Sequence, residues 1–183
     1  MSLALALVAV AAGPQVLVKD IQTEPAWQVP ESFPWAFEPF AGTMFFAAEH
    51  PGFGRELWTT DGTAAGTQLF LDLVPGAESS NPAFVHEIAP GLMIVHATTP
   101  DYGSEYWTTD GTPEGTELLL DIAPGPTSAL PVGGAELNGF YYFSANDGVH
   151  GLELWRTDGT AAGTEMVVDL VPGPDSNWLH REM

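Results

Sequence analysis

Short apolar runs separated by turn residues recur along the chain, and residues 130–170 give the clearest example. The runs there are residues 132–137, 140–145, 153–157 and 165–170, each five or six residues long. They are rich in β-branched and aromatic side chains and are joined by Gly, Asn and Asp, which favour tight turns. None of them has a helical period. The pattern therefore predicts four antiparallel strands.

The second half of this pattern is repeated three times in the chain. Residues 56–76 read ELWTTDGTAAGTQLFLDLVPG, residues 105–125 read EYWTTDGTPEGTELLLDIAPG, and residues 153–173 read ELWRTDGTAAGTEMVVDLVPG. The copies start 49 and then 48 residues apart, a period typical of propellers, solenoids and arrays. Four strands in such a period match the size of one propeller blade.

We therefore predict an all-β fold, a propeller-like array of four-stranded antiparallel blades with three full repeats of about 48 residues. Runs such as residues 118–120 and 140–143 are apolar at consecutive positions, which indicates strands covered on both faces, as stacked blades require. A β-solenoid or another stacked sheet array is the first alternative. A two-sheet sandwich is the second, although it would cover only one face of each strand.

The flanks of the three copies set the expected domain organisation. Residues 16–21 match the fourth run of a unit, and residues 174–178 match the start of one. The predicted boundaries are a signal peptide at 1–12, a partial repeat at 14–26, full repeats at 27–76, 77–125 and 126–173, and a truncated repeat at 174–183. Three blades do not obviously close a ring. The chain is therefore expected to continue in a longer array, to complete a ring by self-association, or to leave open edges.

An apolar run of ten residues near the start, residues 3–12, indicates export. Its length matches a signal-peptide core and is too short to span a bilayer, and Ala9-Val10-Ala11 offers a cleavage pattern. No Lys or Arg precedes the run, so a buried first strand or a mis-assigned start is the alternative. The prediction is a secreted or cell-surface protein that does not span the membrane.

The charge of the chain limits its partners. Asp and Glu number 24 against four Lys and Arg, which gives a formal net charge of -20. Such a surface repels phosphate backbones and anionic lipid head groups, which excludes nucleic acids and acidic membranes as favoured partners. There is no cysteine, so disulfides and thiolate metal sites are excluded. Divalent cations, proteins and glycans remain as candidate partners.

The repeated segment resembles a known family. The motif ELW-x-TDGT-x-x-GT, followed by an apolar run and D-[IL]-x-PG, is similar to the ELWxxDGT repeat family of large secreted bacterial proteins, some of them hyalin-like. The resemblance covers residues 16–178 and implies export and a propeller-like fold, with no catalytic residues to transfer. The second unit departs most from the motif, with Tyr106 for Leu and Pro113-Glu114 for Ala-Ala.

The loop Asp-Gly-Thr-x-x-Gly-Thr is the most conspicuous candidate for chemistry. Its carboxylates can accept hydrogen bonds from nearby backbone N–H groups, and the following glycines can adopt a positive φ, as in the Asp-box hairpins of propeller blades. The alternative is a calcium site, since hard cations take six to eight oxygen ligands. Asn146 or Asp101 could add oxygens from a neighbouring turn. The weak calcium candidates are Asp61, Asp110, Asp158 and Asp147.

Three further residue types recur once in each unit, which favours structural roles. A glycosidase needs two acids facing one substrate, whereas Glu56, Glu105 and Glu153 belong to different units. They are interpreted as strand-start residues that hydrogen-bond an adjacent turn, and Asp72, Asp121 and Asp169 as turn residues before Pro-Gly. Inter-blade packing is the first interpretation of Trp58, Trp107 and Trp155, and a stacking platform for sugars is the second.

No catalytic constellation stands out. His150 shares its repeat position with Phe53 and Tyr102, which indicates a packing role for its ring, and no His spacing typical of zinc sites occurs. Walker, dinucleotide-binding and nucleophile-elbow motifs are absent. We expect a non-enzymatic binding or structural module without a cofactor. The alternatives are part of a propeller enzyme with its site in the channel or top loops, and a calcium-binding propeller.

Overall fold

The computed structural model describes residues 18, 19, 21 and 31–174, and every regular element in them is a β-strand. The predicted signal peptide and the segment after residue 174 lie outside the described residues. The strands are β1 (Trp35–Phe40), β2 (Thr43–His50), β3 (Gly54–Thr60), β4 (Gln68–Leu71), β5 (Ala83–Ala89), β6 (Leu92–Thr99), β7 (Gly103–Thr109), β8 (Glu117–Leu118), β9 (Val132–Leu137), β10 (Phe140–Asn146), β11 (Leu152–Thr157) and β12 (Glu165–Val168).

These strands form three four-stranded antiparallel sheets, each from consecutive strands. Sheet A has the order β1-β2-β3-β4, sheet B the order β5-β6-β7-β8, and sheet C the order β9-β10-β11-β12. The prediction of an all-β fold with four antiparallel strands per unit is confirmed. The predicted ends of three runs were wrong by one or two residues: β10 continues to Asn146, β11 begins at Leu152, and β12 stops at Val168 rather than at Leu170.

Each sheet has two faces of distinct composition, which the strand registers define. Trp58, Trp107 and Trp155 pair with Phe46, Val95 and Phe143 of the preceding strand, and these side chains form what we call the Trp face. The neighbouring positions alternate to the other side, because successive side chains of a strand point to opposite faces. That side, the Leu/Tyr face, carries Leu57, Tyr106 and Leu154.

The three sheets pack in chain order, the Leu/Tyr face of one against the Trp face of the next. Phe45 and Leu57 of sheet A share a buried cluster with Met93 and Val95 of sheet B. The next cluster joins residues of sheet B and its exit segment to the Trp face of sheet C. Its buried members are Ile94, Tyr106, Leu119, Ile122, Ala123, Ala129, Tyr141, Phe143, Ala145 and Trp155.

The two ends of this stack differ. On the Trp face of sheet A, Ile21 packs against Phe46 and Trp58, in the way that Ile122 packs against the Trp face of sheet C. The Leu/Tyr face of sheet C has no such cover among the described residues: Leu170 is 70% exposed and Val171 60%. Among the described residues, the strands of the third unit are therefore covered on one face, whereas the prediction expects cover on both.

A glycine at the start of each third strand fixes how the units join. Gly54, Gly103 and Gly151 have φ of 65°, 62° and 79°, which an L side chain rarely adopts. A Cβ on Gly103 would also lie 2.5 Å from the carbonyl oxygen of Thr127, and one on Gly54 would collide with the carbonyl of Glu78. In the first two units, the segment that leads into the next unit therefore passes directly over this glycine.

Candidate functional site

The three Asp-Gly-Thr loops have nearly the same internal geometry. Oδ1 of Asp61 accepts a hydrogen bond from the backbone N–H of Thr63 at 2.8 Å and from its hydroxyl at 2.7 Å. The corresponding distances at Asp110 are 2.9 and 2.6 Å, and those at Asp158 are 2.9 and 2.7 Å. The hydroxyl and N–H bonds of the following Thr lower the pKa of each Asp.

Glycine and threonine complete each loop. Gly62, Gly111 and Gly159 have φ of 88°, 92° and 92°, so the predicted positive φ is confirmed. The second glycine of the loop has a different role, since a Cβ there would collide with the Asp carboxylate; its positions are Gly66, Gly115 and Gly163. Every conspicuous side chain of the loop is thus engaged in holding the loop itself.

The described residues show no cluster of acidic side chains at these loops, and the calcium site stays a prediction. Among residues 31–174, no group of three or more His, Asp or Glu side chains lies close enough to hold a metal ion. Asp147 bonds within its own turn: its Oδ1 accepts from the N–H groups of Val149 and His150 at 2.9 and 2.8 Å. Asn146 accepts from the N–H of Gly148 at 2.7 Å, and Asp101 lies exposed in the turn of the second unit.

The recurring Glu connects each third strand to the chain that leaves the unit. Glu56 is fully buried and accepts hydrogen bonds from the N–H of Ser80 at 2.8 Å and from that of Leu73 at 3.3 Å. Glu105 accepts from the N–H of Ala123 at 3.1 Å, and Glu153 from that of Leu170 at 2.9 Å. The prediction that these residues hydrogen-bond an adjacent turn is confirmed.

Burial makes two of these carboxyls hard to ionise. Desolvation raises the pKa of Glu105 to about 7, against the hydrogen bonds from Ala123, Ala129 and Ile122, which lower it. One oxygen of Glu105 is buried without a hydrogen-bond partner. Desolvation also raises the pKa of Glu56, opposed by its bonds to Ser80 and Leu73.

The Asp residues before Pro-Gly and the repeated tryptophans also have structural roles. Oδ2 of Asp72 and Asp121 accepts from the N–H four residues later, at 3.3 and 3.0 Å, which closes the predicted turn. Trp58 and Trp155 are buried, at 5% and 8% exposure, and the indole of Trp155 donates to the carbonyl of Ala145. Packing, the first interpretation of these rings, is confirmed for Trp58 and Trp155, because buried rings offer no face to a sugar. Trp107 is half-buried and lies edge-on to Tyr102.

The ring of His150 differs from its counterparts. Phe53 packs against the core of sheet A and Tyr102 lies edge-on to Trp107 at 6.3 Å between ring centroids. His150 instead lies 2.7 Å from Oδ2 of Asp147 through its Nδ1. The hydrogen bond to Asp147 raises the pKa of His150. The predicted packing role was thus wrong for this residue, whose ring pairs with a carboxylate.

One surface outside the repeated motif combines aromatic and charged groups, and sequence reasoning did not identify it. Phe33 and Trp35 are 52% and 42% exposed, and with Pro34 and Arg55 they line an open groove of about 370 Å³. The Arg55 guanidinium forms an ion pair with Glu49 at 3.0 Å. We call Phe33, Trp35, Glu49 and Arg55 the aromatic–ion-pair surface.

This surface belongs to the first unit alone. The strand registers place Trp35 opposite Ala47, and the equivalent positions in sheets B and C are Ala83 and Val132. Ser104 and Leu152 take the place of Arg55 in the later units. In the sequence, this surface is visible only as a departure from the repeat. Reasoning from recurring residues therefore does not detect it.

A scan against protein-family models finds no match, and searches of curated proteins and of solved structures find none either. The resemblance to ELWxxDGT repeats therefore stays a prediction. No helix long and apolar enough to cross a membrane occurs in the part of the chain that the structure describes.

Proposed function

We propose that the protein is an exported, non-enzymatic β-repeat module that binds carbohydrate through the aromatic–ion-pair surface of its first unit. The observation that carries this proposal is the exposure of Phe33 and Trp35 beside the Arg55–Glu49 ion pair. Most other polar groups that recur in the units are engaged in hydrogen bonds within and between them. Function lives in sites placed on a fold, and residues that depart from the repeat are therefore the candidates for such a site.

The chemistry of this surface suits a sugar. An exposed aromatic ring offers an apolar face on which the C–H groups of a pyranose can lie, and Trp and Phe supply much contact area with little conformational entropy. A planar guanidinium–carboxylate pair has further donors and acceptors for adjacent hydroxyls. A shallow groove of about 370 Å³ accommodates one or two sugar rings at the surface.

The charge of the chain favours a neutral sugar over an acidic one. The protein carries a formal net charge of -20, and Glu49 already neutralises the one guanidinium at the groove. An anionic glycan would therefore approach against long-range repulsion. A neutral oligosaccharide such as a β-linked glucan or a mannan meets no such barrier.

The proposed scaffold for this surface is a propeller-like array in which sheets A, B and C are consecutive blades. Support comes from the first strands, because β1 contacts β5 and β5 contacts β9. Neighbouring first strands are expected where blades converge on an axis. The buried Trp faces and the Glu-anchored exits would then fix the angle between blades and hold the first unit rigid.

The test is titration calorimetry with neutral hexasaccharides of glucose, mannose and xylose, each at constant salt. Trp35→Ala should weaken binding at least tenfold, about the loss expected from removing one stacking ring. Val132→Ala, at the equivalent position of the third unit, is the matched control and should bind as the wild type does. Equal binding by Trp35→Ala and wild type, or tighter binding of a uronic-acid hexasaccharide, would contradict the proposal.

A further inference from the structure

The exposed Leu/Tyr face of sheet C has the same design as two faces that are buried inside the molecule. Sheets A and B each cover their Leu/Tyr face with the Trp face of the next sheet, and Leu57 and Tyr106 are 6% and 1% exposed as a result. Sheet C presents Tyr142 and Leu154 half-buried and Val167, Leu170 and Val171 exposed. It is the one described Leu/Tyr face that no sheet covers.

Each junction between sheets has a second contact. In it, the turn between the first two strands of one unit touches the Asp-Gly-Thr loop of the next unit. The Phe40 ring at the end of β1 lies 3.1 Å from where a Cβ of Gly111 would be, so the turn of sheet A touches the Asp-Gly-Thr loop of sheet B. In the same way Leu92 and Ile88 of sheet B lie against Gly159 in the loop of sheet C.

Among the described residues, both halves of this second contact are unfilled at the ends of the stack. No described atom lies within 4 Å of the Cβ position of Gly62, in the loop of sheet A. A groove of about 630 Å³ opens beside it, with Thr43, Met44 and Asp61 in its lining and Glu87 of sheet B at its border. At the other end, the turn of sheet C at Asn138 and Gly139 is exposed, next to Leu137 at 59% exposure.

We propose that the Leu/Tyr face of sheet C docks a second copy of this chain, head to tail, on the Trp face of that copy's sheet A. The turn at Asn138 then fills the groove beside Gly62 of the second copy. The new junction repeats the A–B and B–C junctions already present in the molecule. Such heterologous contacts grow into rings or open filaments rather than stopping at a two-fold dimer. This inference is independent of carbohydrate binding.

Ile21 acts as the competitor in this docking. It already covers Phe46 and Trp58 on the Trp face of sheet A, where Leu170 of the incoming copy would have to pack. Docking replaces Ile21 by Leu170 of the incoming copy on this face. It also buries Val167 and Val171 of the incoming copy, which are exposed in the single chain. The net charge of -20 opposes the encounter, so association should strengthen as salt is raised.

The first experiment measures the mass of the full chain by sedimentation at several concentrations and at low and high salt. The wild type should form species larger than a dimer at high salt. Leu170→Asp should weaken association at least tenfold, and Ile21→Ala should strengthen it, because the competitor is removed. Val149→Asp adds the same charge on an exposed turn where the earlier units carry Gly52 and Asp101, and it is the matched control.

The second experiment fixes the geometry, using the absence of native cysteine. Asn138→Cys and Ala64→Cys, made as separate proteins and mixed with a short thiol cross-linker, should give a heterodimeric product. Cross-linking of Asn138→Cys with itself would indicate two sheet C faces in contact and would overturn the head-to-tail arrangement. A wild type that stays monomeric at high salt, or an Ile21→Ala variant of unchanged melting temperature that associates no better, would overturn the proposal as a whole.

Discussion

The first and third units carry almost the same repeated segment, yet one is enclosed and the other is open. Both contain ELW at the third strand and DLVPG at the exit. Leu57 and Val74 of the first unit are 6% and 7% exposed, whereas Leu154 is half-buried and Val171 is 60% exposed. The difference arises from the neighbour, since sheet B covers the first unit and no described sheet covers the third. Burial in a repeat protein is therefore a property of the junction between units.

The strongest test of this comparison is one substitution at the same repeat position. Leu57→Ala should lower the free energy of unfolding by about 2 to 4 kcal/mol, because it leaves a cavity between sheets A and B. Leu154→Ala should cost about 1 kcal/mol or less, since the side chain is only half-buried. Denaturant unfolding at low protein concentration measures both, and equal losses would contradict the comparison.

Two glycines with positive φ allow a second test. Gly54 and Gly139 both have positive φ, at 65° and 81°, but the lead-in segment crosses only Gly54. Gly54→Ala should therefore destabilise by about 2 to 3 kcal/mol, through backbone strain together with a collision with the carbonyl of Glu78. Gly139→Ala meets nothing within 4 Å and should cost about 1 kcal/mol for its backbone alone. If both variants lowered the melting temperature equally, the close approach of the Glu78 carbonyl to Gly54 would be unimportant for stability.

The buried Glu105 carboxyl at the exit of the second unit should make the free energy of unfolding depend on pH. Burial raises the pKa of Glu105 from its ordinary value of 4.5 to about 7, so folding favours its protonated form. The stabilisation is complete below pH about 4.5 and is lost as the pH rises through about 7, by roughly 2 kcal/mol. Thermal unfolding between pH 4.5 and 8 measures this loss.

Glu105→Gln should remove that part of the pH dependence, because an amide stays uncharged over the whole range. Glu117→Gln removes one charge from an exposed side chain of the same sheet and controls for the change in net charge. An unaltered pH profile in Glu105→Gln would show that the buried carboxyl is already compensated in the folded protein.

The repeated residues could be interpreted correctly from the sequence because their interactions are local. Asp61 bonds the residue two positions later, and Gly62 adopts the positive φ that its turn requires. The Glu residues were predicted to bond an adjacent turn, although the Ser80 partner of Glu56 lies 24 residues away, in the lead-in to the next unit. The role of Gly54 was missed, although a glycine precedes the Glu by two positions in all three copies.

The sequence by itself determined the strands, their antiparallel pairing and the turns, because each depends on alternation and on conformations that only a few residue types adopt. Which sheet faces become enclosed was decided by the tertiary structure. The motif is the same in each unit, and its apolar side chains leave water only where another unit lies against them. The aromatic–ion-pair surface also required the fold, since Phe33 and Trp35 become neighbours of Arg55 only when β1, β2 and β3 pair in one sheet.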